Sequence, residues 1–105
     1  MTARERKEKK TIVYLSNKDN FRRFVLELQE YINTHMNNGC GYRENTNSSY
    51  VHKRHFIRFC NIKKFDWEAV NEFFQYEDNY WCRCDCDYLN KVKVDEKGDV
   101  VHVEQ

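Results

Sequence analysis

The segment 16-SNKDNFRRFVLELQEYINTHMNNG-39 constrains the fold most. Phe21, Phe24, Val25, Leu28, Ile32 and Met36 recur at spacings of three and four, which places them on one stripe of a helix. Ser16 followed by Asp19 has the form of a capping box. Gly39 is placed as a left-handed stop. Tyr31 and His35 flank the stripe. His35 suits the end of a helix, where a cation meets the negative end of the dipole.

The other segments must cover that stripe. Residues 1–10 mix Lys, Arg and Glu without an apolar face and read as a flexible basic arm. Residues 11-TIVYL-15 are β-branched and aromatic and read as a short buried strand. Residues 37–49 are turn chemistry, with Cys40 between Gly39 and Gly41. Residues 50–63 read as a helix capped by Ser48 or Ser49, with Val51, His55, Phe59 and Ile62 on one face and Phe56 and Cys60 beside them. Phe56, Ile57 and Phe59 also suit a strand. Asp66 is placed to cap a helix over 67–77, whose apolar face is Trp67, Val70, Phe73 and Phe74. Residues 78–94 return to a period of two, and 92–103 read as a hairpin turning at Gly98. The expectation is an α+β fold: about three helices with a small, mainly antiparallel sheet made of an N-terminal strand and the C-terminal strands. Residues 11–105 then form a single α+β domain.

Composition narrows the function classes. The chain has 105 residues, fitting one domain, and its 40% hydrophobic and 15% aromatic content allows one modest core. A core that small benefits from a staple. The longest apolar run near the N-terminus is Ile12 to Leu15, far short of the roughly 20 residues of a membrane span. No segment reads as a signal peptide. A cytoplasmic protein without a membrane partner is expected, in which five cysteines point to free thiols or metal rather than disulfides. Charge is segregated: residues 1–64 carry a net +8, residues 65–90 carry −6 and residues 91–105 carry −1.

The stretch 81-WCRCDCDY-88 carries the candidate chemistry. On a strand, Cys82, Cys84 and Cys86 share one face, and Arg83, Asp85 and Asp87 the other. Thiols two residues apart can converge on one ion given a local bend, and thiolates favour zinc over hard cations. Four ligands close a structural zinc site. Cys84 and Cys86 supply two, Cys40 a third from its Gly-flanked loop, and His52 the fourth. His55 and Cys82 are the substitutes. Asp85 and Asp87 could orient a ligating histidine. The competing reading is that the thiols are small hydrophobes in a core, as expected for Cys60. Redox chemistry lacks the usual C-x-x-C pair. His102 reads as an exposed strand residue.

Residues 59–92, and 84-CDCDYLNKV-92 in particular, resemble the end of a small bacterial domain family of unknown function. Members carry a Cys-x-His-Thr stretch opening a helix, a second helix, and a terminal CDCE-x-x-x-N-V motif. Here Asp87 stands for the Glu, and Lys91 separates Asn90 from Val92. The Cys-x-His-Thr stretch is missing, since eleven residues separate Cys40 from His52. The resemblance implies that Cys84 and Cys86 belong to a recurrent site. It implies no activity.

These residues support a small zinc-stabilised binding module with a protein partner, rather than an enzyme. A Cys–His nucleophile is conceivable, but nothing marks an oxyanion hole. One alternative is a phage-type small inhibitor docking on a host protein through its acidic segment, residues 66–87. Another is a nucleic-acid-binding accessory protein that uses Lys53, Arg54, Arg58, Lys63 and Lys64.

Overall fold

A computed structural model describes residues 2–35, 53–76, 79–80, 82 and 84–103. Helix α1 spans Ala3–Leu15, α2 Lys18–His35, α3 Arg54–Ile62, α4 Trp67–Glu72 and α5 Asp85–Asn90. Strands β1 (Gln75–Tyr76) and β2 (Asn79–Tyr80) form one antiparallel pair. Strands β3 (Val92–Val94) and β4 (Val100–His102) form another. The fold is therefore α+β and mostly helical among the described residues.

The N-terminal strand is not formed, and the segment read as an arm is helical with it. Thr2 caps α1, its hydroxyl accepting from the Glu5 N–H at 3.1 Å. Of the β-branched run, only Thr11 and Leu15 are buried, while Ile12 and Val13 face outward. That four-residue interval is helical, so packing overrides the strand preference of the residue types. Thr11 then joins α1 to α4: its hydroxyl donates to the Lys7 carbonyl at 2.7 Å and accepts from the Asp66 N–H at 2.9 Å.

Helix α2 presents the expected stripe, with Phe24, Val25, Leu28 and Ile32 all buried. Its cap differs. The Ser16 hydroxyl donates back to the Ile12 carbonyl and closes α1, so Asn17 caps α2 by accepting from the Asn20 N–H at 3.1 Å. Met36 and Gly39 lie outside the described residues. His35 ends the helix, its Nδ1 bonded to the Tyr31 carbonyl at 2.8 Å and its ring stacked on Tyr31 at 4.0 Å.

Helix α3 lays His55, Phe56, Ile57, Phe59 and Cys60 into the interior, but Ile62 is 60% exposed rather than on the buried face. The proposed Ser48 and Ser49 caps, and Val51, lie outside the described residues. Helix α4 follows Asp66 as expected but stops at Glu72, and Asp66 makes no side-chain cap bond. The core is aromatic. Phe56 stacks on Tyr88 at 4.5 Å, Phe74 meets Tyr88 edge-on at 5.0 Å, and Phe24 contacts Phe59 at 5.3 Å. Such pairs add about 0.5–1.5 kcal/mol each beyond area burial. The Gln29 amide donates to the carbonyls of Tyr88 and Val92, both at 2.8 Å, tying α2 to the segment that carries the cysteines.

The tail hairpin forms as expected, pairing Val92 with His102 and Val94 with Val100. Gly98 takes φ +82°, which the turn needs. His102 is half-buried rather than exposed.

Candidate functional site

The thiol segment is not a strand with three cysteines on one face. Cys84 is extended (φ −153°, ψ 172°) and serves as the N-cap residue of α5, so the alternation ends there. Cys86 is the second residue of that helix. Cys82 and Cys84 are buried and Cys86 is half-buried. Burial pushes the Cys82 thiol well above its ordinary value. Neutral and enclosed, Cys82 behaves as a core hydrophobe, as does Cys60, whose thiol burial raises in the same way.

Asp85 organises the site. It is 2% exposed, and its two carboxylate oxygens accept from the His55 N–H at 3.1 Å and the Phe56 N–H at 3.0 Å. These are two of the four orphan donors at the start of α3. Lys53, in the N-cap position, makes no side-chain cap bond, so Asp85 caps α3 from a distant part of the chain. Burial raises its carboxyl above the usual value, and the two backbone bonds oppose that rise.

Lys53 was among the basic residues expected to meet nucleic acid, but it is 4% exposed. Its ammonium donates to Asn71 Oδ1 at 2.6 Å and lies 5.7 Å and 5.4 Å from the rings of Phe56 and Tyr88. Burial lowers its pKa, opposed by the nearby carboxylates of Asp85 and Asp87. A lysine held this way cannot reach a phosphate. Asn71 Oδ1 also accepts from the Tyr88 hydroxyl at 3.2 Å. Sequence reasoning missed Asn71 and Tyr88, which carry no charge: Asn71 lies in a segment read as a helix, and Tyr88 in one read with a period of two.

The other basic candidates diverge. Arg54 and Arg58 are exposed on α3. Lys63 pairs with Glu27 at 2.6 Å and lies over the Phe59 ring at 5.6 Å. Lys64 is exposed, with φ 62°.

Among the metal candidates, His55 is 8% exposed, and its Nδ1 finds no hydrogen-bond partner among the described residues. Burial lowers its pKa, which favours the neutral ring. Cys40 and His52 lie outside the described residues. Among the described residues, no three of His, Cys, Asp and Glu converge on a point that could hold a metal ion. Cys84, Cys86, His55 and Cys82 therefore do not make a site by themselves. Set against family models, curated proteins and solved structures, the chain matches none.

Proposed function

We propose that the chain is a small binding module for a protein partner, stapled by one zinc ion on Cys40, His52, Cys84 and Cys86, and not an enzyme. The observation that supports this reading is the Asp85 cap. Asp85 sits between Cys84 and Cys86, and its carboxylate is fixed on the backbone of His55, three residues after His52 in the chain. The Cys-x-Cys pair is thereby anchored at the start of the segment that follows the other two donors. In this reading zinc supplies folding free energy to a small core. Four ligands leave no open position for substrate. Cys82 is the weaker substitute because its thiol is buried and held neutral.

The test is the zinc content of untagged protein, measured by mass spectrometry of the metal. One zinc per chain is expected, lost in Cys84→Ser and Cys86→Ser and kept in Cys60→Ser. Metal-free protein that folds normally overturns the reading.

Docking through the acidic segment has less support. Glu68 pairs with Arg4 at 3.0 Å, Asp87 with Lys91 at 3.5 Å, and Asp85 is buried. Among the described residues, no helix is long and apolar enough to cross a membrane.

A further inference from the structure

Helix α1 carries a feature that neither the core nor the thiol segment uses. A groove of about 670 Å³ runs along it to the start of α2, lined by Arg6, Lys9, Lys10, Val13, Tyr14, Asn17 and Asn20. Arg6, Lys9, Lys10 and Val13 follow helical spacing on the side of α1 away from buried Thr11 and Leu15. Val13 is 66% exposed. Among the described residues, no carboxylate lines the groove, and Glu5 and Glu8 fall at other positions around the helix.

Glu5, four residues before Lys9, has the spacing of a favourable helix pair, but other parts of the charge pattern work against the helix. Arg6 lies three residues from Lys9 and four from Lys10, spacings at which like charges repel. Arg4 and Arg6 sit in the first turn, the positive end of the dipole, and the last turn holds no basic residue. Two lysines beside an exposed valine and a tyrosine are complementary to carboxylates flanking an apolar side chain.

We propose that this groove docks an acidic segment of a protein partner, with an aliphatic or aromatic side chain seated over Val13 and Tyr14 and its carboxylates on Lys9 and Lys10. The apolar floor favours such a segment over a phosphate backbone, which has nothing to place there. The inference names a partner chemistry for the binding module and uses none of the proposed zinc ligands.

The test selects random short peptides on the full chain by display and measures the winners by fluorescence anisotropy. Enrichment of Asp and Glu beside Leu or Phe is expected. Lys9→Glu with Lys10→Glu should weaken binding by about tenfold or more, since like charges across an interface are strongly disfavoured. Val13→Ala should weaken it about threefold, the loss expected for part of one buried apolar contact. Arg54→Glu with Arg58→Glu, on α3, should leave it unchanged. Circular dichroism of each variant checks the fold, and Lys9→Gln with Lys10→Gln gives a milder second variant. Selected peptides without acidic bias, or equal binding by the charge-reversed chain, overturn the proposal. Single-stranded or duplex DNA that binds more tightly than any peptide, and is lost with the same reversal, overturns it in favour of nucleic acid. The measurement is repeated after chelation: unchanged peptide affinity separates this groove from the zinc reading, which metal content decides alone.

Discussion

The carboxylate of Asp85 closes the N-terminus of the helix that begins at Arg54, accepting from the backbone N–H groups of His55 and Phe56 at 3.1 and 3.0 Å. Asp85→Ala leaves both donors buried without this partner, and an expected loss of about 2–3 kcal/mol follows from charge-assisted bonds to a helix cap. Asp85→Asn keeps one acceptor oxygen and should lose about half as much. Urea midpoints at constant slope measure both.

Asp85 also has a pH signature. Burial raises its folded-state pKa above the unfolded value. Between the two values the folded chain binds the extra proton. The Asp85 contribution is therefore fully present below the ordinary aspartate range and declines as pH rises through the raised value. Stability of the native protein minus that of Asp85→Asn, followed from about pH 4 upward, should fall. A difference that rises instead removes the burial argument.

His55 and Lys53 run the opposite way, because burial depresses both. Their contributions are present above the unfolded pKa and lost as pH falls through the folded one. For His55 the loss falls below about pH 6.5, the unfolded imidazole value. His55→Gln should flatten the acid limb of the melting-temperature profile.

Lys53→Met removes a buried ammonium while keeping most of its volume. Asn71 Oδ1 retains the Tyr88 hydroxyl as donor. The change should be within about 1 kcal/mol of neutral, since apolar replacement of a buried charge is often tolerated. It should also abolish the rise in stability with alkaline pH that a depressed lysine produces. Lys53→Ala opens a cavity and should cost more, about 2–3 kcal/mol.

At the hairpin turn, Gly98→Ala should cost about 1 kcal/mol through its positive φ alone. Among the described residues, a Cβ there meets the Arg22 side chain at 3.5 Å, an ordinary van der Waals contact. Gly98→Asn should cost less, because Asn tolerates this backbone region. Thermal melts of the two variants check the order.

The legible parts of the sequence were those with long or regular periodicity. The stripe from Phe24 to Ile32 and the hairpin around Gly98 carry their own signals. Local propensity failed where tertiary contacts set the outcome. Thr11 to Leu15 reads as a strand by residue type, yet its helix is held by the Thr2 cap and by Thr11 bonding to Lys7 and Asp66. Cys82 to Cys86 alternates in sequence, but the chain turns helical once Cys84 has closed the extended part. In the candidate site, Lys53 looked like a surface cation because charge alone does not reveal burial. Asp85 looked like a ligand's neighbour, because a cap supplied across about thirty positions leaves no local signature.

That distance sets an order of assembly. The first turn of the Arg54 helix cannot complete this cap until the chain beyond Asp85 has emerged and docked. A nascent polypeptide halted between the two therefore exposes frayed amides at His55 and Phe56, and hydrogen exchange at those two positions reports the arrival of the C-terminal part.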